Sequence, residues 1–251
     1  MRLQLCTWPE VETYLETNKG IILPIGSTEQ HGPTGFIGTD ALTAEMIAFA
    51  VGDAAGAMVA PTINVGMAQH HLGFPGSMTL RPTTLIAVIR DMVNSLAHHG
   101  FDRFFLINGH GGNVATVTAA FGEIYAESSL GIAAANRPSL RCRLSNWYQN
   151  AAVDGVSKTH FGDAEGSHAT PSEVALTYFG FPEDGKRVHR DRLTPELAPK
   201  GTIYDADDYR RQFPDGRIGS NPGLATAEIG KQVFDAAVGD IIDQYRDFMA
   251  A

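Results

Sequence analysis

Residues 20–56 read GIILPIGSTEQHGPTGFIGTDALTAEMIAFAVGDAAG. The opening run, Gly20 to Ile25, is short, apolar and stopped by Gly26, which is the signature of a buried strand. From Thr39 onward the apolar residues recur at helical spacing, so Leu42, Met46, Phe49 and Ala50 share a face. Between the two lies a glycine-rich loop carrying Glu29, His31 and, at its far end, Asp40. Buried strand, polar loop and helix together form the unit from which parallel sheets are built.

The unit recurs along the chain. AMVAPTINVG (57–66) reads as a second strand. RPTTLIAVIRDMVNSLAHHG (81–100) reads as a helix with Thr83 or Thr84 as cap, an apolar stripe of Ile86, Ile89, Val93 and Leu96, and Gly100 as its stop. RFFLING (103–109) is a third strand, NVATVTAAFGEIYAESS (113–129) a helix, and GIAAANR (131–137) a fourth strand. A last helix covers about 226–249. The stretch 181–224, rich in Pro, Gly and charge, reads as long loops laid over the core. The fold class is therefore α/β, a mainly parallel central sheet covered on both faces. The whole chain, 1–251, is expected to form one domain.

Composition narrows the function. Lys and Arg number 19 against 28 Asp and Glu, a net charge of −9. That balance predicts no nucleic acid and no anionic membrane as partner. No apolar stretch is long enough for a span. The first residues, MRLQLCTWPEVETYLE, lack the apolar segment of a signal peptide. Cys6 and Cys142 have no CxxC spacing and read as reduced thiols. A cytoplasmic protein is the expectation.

In parallel α/β folds ligands sit beyond the C-terminal ends of the strands. Three polar motifs fall there: GSTEQHG (26–32), GMAQHHLGFPGS (66–77) and NGHGGN (108–113). In an extended segment Glu29 and His31 point to one side and Gln30 points away. Imidazole and carboxylate together suit zinc, manganese or iron better than calcium. Each residue also has a plainer reading. Asp40 could be a helix cap, His110 a hydrogen-bonded loop histidine, and NGHGGN a phosphate-cradling turn. The coincidence of such residues at all three strand ends favours the metal.

LPIGSTEQHGPTGFIGTD, HLGFPGSMTL, INGHGGN and GSHATPSE resemble the successive motifs of the creatininase (creatinine amidohydrolase) family, over roughly residues 15 to 180. The resemblance implies a three-layer α/β/α sandwich and two divalent metal ions per chain, zinc, manganese or iron. It implies that Glu29 and His110 hold one ion, that His31 holds the other, and that Asp40 bridges them. It also makes His168 the catalytic acid that protonates a departing nitrogen. His71 matches a family histidine and is expected to face the site. The family tends to form hexamers, so a homo-oligomer is expected.

The sequence also departs from creatininase itself. Gly111 and Gly112 stand where that enzyme has a Tyr and a Glu ligand, Ala68 where it has a substrate-contacting Ser, Ala164 where it has a Trp, and Glu165 where it has an Asp. The glycine form resembles other branches, the formamidopyrimidine-type deformylases and the mycofactocin peptidase. His71, Gly111, Glu165 and Trp147 are the candidate substrate-binding residues, and Trp147 could equally only pack. Glu173 joins His168 among the candidate catalytic residues. It is either the carboxylate that replaces the ligand lost at Gly112, or the back-folding Glu of a capping box that starts at Thr170.

The expected function is a binuclear metal-dependent hydrolysis of a C–N bond in a small cyclic amide or formamide, with a small-molecule substrate. A metallopeptidase acting on a small peptide is a second reading. A non-catalytic metal- or nucleotide-binding protein is a third.

Overall fold

The computed structural model describes residues 1–134, 137–189 and 193–251. In chain order the main elements are α1 (Trp8–Thr17), β1 (Gly20–Ile25), α2 (Thr39–Ala55), β2 (Met58–Val59), α3 (Pro82–His98), β3 (Arg103–Asn108), α4 (Asn113–Ser129), β4 (Arg141–Asn146), α5 (Ala151–His160), α6 (Pro171–Gly180), α7 (Pro182–Gly185), α8 (Ala206–Gln212) and α9 (Ala227–Ala250).

The four strands pair in the order β2-β1-β3-β4, all parallel. Alternation along β1 and β3 sends side chains to opposite faces. Ile21, Leu23, Ile25, Phe104 and Leu106 pack with α1, α3 and α4 on one side. Ile22, Phe105 and Ile107 pack with α2, α5, α6 and α9 on the other. Helices thus cover both faces, which is the expected α/β/α sandwich. Every residue of β1 is buried, as a central strand between two helical layers must be.

Several boundaries differ from the sequence reading. The second strand shrinks to two residues. Beyond it the chain follows β1 only through isolated bonds, because the step from Ala60 N on Ile22 O to Ile63 N on Pro24 O sets three residues against two of β1 and breaks the ladder. The segment 131–137 is not a strand where it is described. Gly131 is left-handed and Ile132 is exposed, while residues 135 and 136 lie outside the described residues. The fourth strand is RCRLSN, ten residues later. The third helix is capped by Arg81 with Pro82 in its first turn, not by Thr83 or Thr84, because proline's fixed φ sets the start. Its buried stripe is Leu85, Ile89, Val93 and Ala97, flanked by Ile86 and Leu96. The stretch 181–224 holds two short helices, α7 and α8, among its loops. Both cysteines are free. Among the described residues, no helix is long and apolar enough to cross a membrane.

Candidate metal centre

The loops after β1 and β3 and the N-termini of α2 and α6 meet at one rim of the sheet. Gly26 and Gly109, the first residues after those strands, make this approach geometrically feasible. A Cβ on Gly26 would overlap the main chain of Asp40 and Ala41, and one on Gly109 would overlap the Asp40 carbonyl. Asp40 lies in the first turn of α2, two residues beyond the Gly38 cap, so it is not the N-cap residue. It is buried between the two strand ends together with Glu29, His31 and His110.

Six side chains converge. His31 Nε2 is 3.0 Å from Asp40 Oδ1 and 3.9 Å from Glu173 Oε2. His110 Nδ1 is 3.0 Å from Asp40 Oδ2, and its Nε2 is 3.2 Å from Glu29 Oε2. His168 Nδ1 stands 4.0 Å from Glu29 Oε1. Three trios bring one donor atom each within metal-ligand reach of one another: Glu29, Asp40 and His110; His31, Asp40 and Glu173; and Glu29, His31 and His168. Asp40 is common to the first two.

Two further observations fit a bound cation. First, each cluster histidine gives one ring N–H to a main-chain carbonyl, which can only accept. His31 Nδ1 donates to Glu29 O at 3.1 Å, His110 Nε2 to Met67 O at 3.0 Å and His168 Nε2 to Gln30 O at 2.8 Å. The other nitrogen of each ring faces the cluster. Metal-binding histidines are oriented in this way. Second, Glu29 Oε1 and Asp40 Oδ2 are buried without a hydrogen bond, although His71 Nε2 and His110 Nδ1 stand 3.0 Å from them. Buried carboxylate oxygens are rarely left without a well-aligned donor. The donor set, imidazole and carboxylate, suits zinc or manganese.

Burial sets the charges of the metal-free cluster. It opposes charge on His31, but Asp40, Glu173 and Glu29 more than offset it and push the imidazole up to about 10. His110 is likewise pushed up to about 9, chiefly by Glu29 and Asp40 against burial. Asp40 is held well below the usual carboxylate range by His31 and His110 in spite of its burial. Burial raises Glu29 and raises Glu173 to about 7. His168 goes the other way: burial and the neighbouring His71 and His31 keep it well below its ordinary value. A neutral His168 with its N–H on Gln30 presents an unshared pair at Nδ1.

A cavity of about 640 Å³ opens over the cluster. His71, Gly111 and Glu165 line it, together with Asp40, His110, His168 and Glu173. Trp147 does not. Its indole is buried in the core and donates to Thr43 Oγ1 at 3.1 Å, while its neighbour Tyr148 lines the cavity, as does Tyr209. Glu165 accepts a hydrogen bond from Ser172 through one oxygen and leaves the other buried without a partner. Of the two readings of Glu173, the structure shows the capping box and leaves the second oxygen on the cluster side. Oε1 accepts from Thr170 N at 2.6 Å, completing the capping box, while Oε2 faces His31.

Sequence reasoning missed Gln30, Tyr148 and Tyr209. Gln30 does not turn away from the site. Its amide nitrogen donates to Gly216 O at 3.0 Å, lies 3.1 Å from His71 Nδ1 and 3.1 Å from Tyr209 Oη, and its carbonyl oxygen accepts from Gly32 N. Gln30 therefore backs His71 and, through its main chain, His168. Strand-type alternation fails here because the chain has left the sheet by Gly26.

Comparison with known proteins places this geometry. A family profile described as creatinine amidohydrolase matches residues 4–245. A "Mycofactocin precursor peptide peptidase" of Mycolicibacterium smegmatis is 36% identical over 242 residues, 90% of this chain and 84% of that protein. A "Creatinine amidohydrolase" of Pseudomonas putida is 34% identical over 253 residues, 96% and 94% of the two chains. Among solved structures, a mutant creatininase described as "Zn-Zn type" superposes with a TM-score of 0.84 at 22% identity, covering 100% of this chain and 98% of that one.

Proposed function

The chain belongs to the creatininase family, and on that premise we propose that it is a binuclear metal-dependent amidohydrolase that cleaves a C–N bond of a small cyclic amide or formamide. The observation that carries the reading is Asp40, which sits in two ligand trios at once, with Glu29 and His110 on one side and His31 and Glu173 on the other. The structural neighbour described as "Zn-Zn type" supports two ions of that kind.

Two divalent ions held there would supply a water of lowered pKa and polarise the substrate carbonyl. The protein's own groups do the rest. Asp40 keeps the two positions close. His168, neutral and pinned by Gln30, accepts the proton of the attacking water at Nδ1 and returns it to the departing nitrogen. The C–N bonding pair leaves with that nitrogen, so protons and electrons balance. His71, Gly111 and Glu165 line the space for the rest of a small substrate. Cytoplasmic location and assembly into a homo-oligomer, hexameric as in the family, belong to the same proposal. The exposed Leu5 and Trp8 support an association surface.

One observation favours a second reading, a peptidase acting on a small peptide: the relative from Mycolicibacterium carries that name at 36% identity. One experiment separates the readings. Protein reconstituted with zinc or manganese is analysed for metal. It is then assayed for amine release from a panel of cyclic amides, formamides and short peptides, with and without chelator. About two ions per chain and chelator-sensitive release from the first two classes support the proposal. Release from peptides alone moves it to the second reading. Absence of bound metal, or hydrolysis that persists in chelator, overturns both.

A further inference from the structure

Tyr148 lies in the turn between β4 and α5. Its ring is fixed at right angles to Trp147, with centroids 5.8 Å apart, and packs on the core cluster beneath it. The hydroxyl at its tip is buried, yet it makes no hydrogen bond among the described residues. Burying a hydroxyl unpaired costs on the order of 1–3 kcal/mol, and a Phe would pack as well. The hydroxyl therefore points to something that enters the cavity.

The position of the hydroxyl limits what that can be. It stands over Gly111: a Cβ there would be 3.7 Å from the phenolic oxygen, so the absent side chain leaves the approach open. Tyr148 lines the same cavity wall as Asp40, His110, Gly111 and Glu173, and the charges of Asp40 and Glu173 are felt at the phenol. A phenol is protonated at neutral pH and so acts as a donor. One oxygen of Glu173 is taken by Thr170 and one of Asp40 by His31, and among the described residues the phenol forms no hydrogen bond to either carboxylate. A donor aimed across a glycine toward a hydrolytic cluster fits an acceptor on the substrate itself.

We propose that the Tyr148 hydroxyl donates a hydrogen bond to the substrate's carbonyl oxygen as that carbon becomes tetrahedral, which makes Tyr148 a catalytic residue. The inference rests on the hydrolase reading above. When the nucleophile adds, the carbonyl π pair moves onto oxygen, where negative charge grows. Tyr148 keeps its proton and only shares it. The pair returns to carbon as the C–N bond breaks, and the nitrogen leaves with the proton delivered by His168. A preorganised donor at that oxygen gains strength as the charge develops, which is where such a bond accelerates a reaction.

The test uses zinc-loaded protein and methylphosphonate, whose tetrahedral, negatively charged oxygens stand in for the tetrahedral carbon. Binding is followed by calorimetry for the wild type and for Tyr148→Phe, which keeps the ring and its packing. Zinc content and melting temperature should match between the two. Affinity for methylphosphonate should fall about tenfold or more in the variant, as expected for one lost charge-assisted hydrogen bond. If the zinc-loaded wild type binds no methylphosphonate, or the variant binds within about twofold of it, the Tyr148 proposal fails and the hydrolase reading stands. A wild type that takes up no zinc overturns both.

Discussion

Glu173 divides its two carboxylate oxygens between two neighbours, closing the α6 cap on Thr170 N at 2.6 Å and facing His31 Nε2 at 3.9 Å. A helix-capping side chain is thereby held with its second oxygen toward His31, one of the three groups of its trio. The cap gives the carboxylate its orientation, and the orientation makes it available to the His31 and Asp40 side of the cluster.

Glu173→Gln separates these two tasks. Glutamine also closes a capping box, so α6 should keep its start and the melting temperature should move little. The charge is lost, so metal analysis should show a fall from about two ions toward one, with a steep loss of kcat. Thr170→Ala is the converse: about 1 kcal/mol of stability lost in a denaturant titration, with metal content intact. Two tightly held ions and near-normal activity in Glu173→Gln would remove Glu173 from the ligand set.

Asp40→Asn should be the most damaging single change among the ligands. Asp40 Oδ1 faces His31 and Oδ2 faces His110, so this one carboxylate joins the Glu29 and His110 trio to the His31 and Glu173 trio. We expect both ions to be weakened together, so that metal analysis after gel filtration finds well under one ion per chain. A variant that keeps one full ion would show that the trios are independent.

Much of this centre is legible in the sequence because its parts are local. Glu29 and His31 lie within six residues of the end of β1, Asp40 begins the next helix, and His110 follows β3 directly. Strand ends in a parallel sheet are neighbours by construction, so motif position alone brings these residues together. Contacts with no local signature are invisible. Gln30 meets Tyr209 at a separation of 179 residues, through a helix inside a stretch that reads as loop. Tyr148 reaches the cavity because Trp147 turns into the core. The apolar run 131–137 reads as a strand and is not one where it is described, whereas β4 is the last strand of the sheet and only partly buried. An edge strand needs no such run, so RCRLSN carries no strand signal.

Metal uptake should release protons. In the metal-free protein His31 is pushed up to about 10 and His110 up to about 9, so both are cationic at neutral pH. Ligation needs the neutral ring. Protons therefore compete with the metal, and apparent affinity should rise with pH through neutrality, levelling once the pH passes those values. Calorimetric titration with zinc at pH 7 in two buffers of different ionisation enthalpy should report about two protons released from the histidines per pair of ions, with a further part of a proton from Glu173, which burial raises to about 7. A buffer-independent heat would show that the histidines are not ligands.

Creatinine should be a poor substrate. Gly111 and Gly112 present no side chain to the cavity, Ala68 is wholly buried, and Ala164 offers only a methyl group. Without side chains to grip the ring, transition-state stabilisation should fall by roughly 2.7 kcal/mol, about a hundredfold in kcat/KM relative to a creatininase. A steady-state assay on the metal-loaded protein measures this directly, and comparable kcat/KM would show that other residues of the cavity bind creatinine.

Gly112→Ala tests whether the glycine form of the NGHGGN loop is required by the centre itself. Gly112 has an ordinary helical φ of −61°, so alanine meets no backbone strain. The constraint is space: a Cβ would overlap His110 Nε2 and stand 2.7 Å from Met67 O, the carbonyl that orients that ring. Met67 O is main chain and yields little, so His110 must turn. Its Nδ1 then leaves Asp40 and its Nε2 leaves Glu29. We expect the Gly112→Ala variant to fold with a loss of about 1–3 kcal/mol, typical of overpacking. It should lose the ion held by Glu29, Asp40 and His110 and retain the one held by His31, Asp40 and Glu173. Stepwise zinc titration would show one binding phase where the wild type shows two. Two phases of unchanged affinity would mean that the loop moves aside and that Gly112 is not needed for the position of His110.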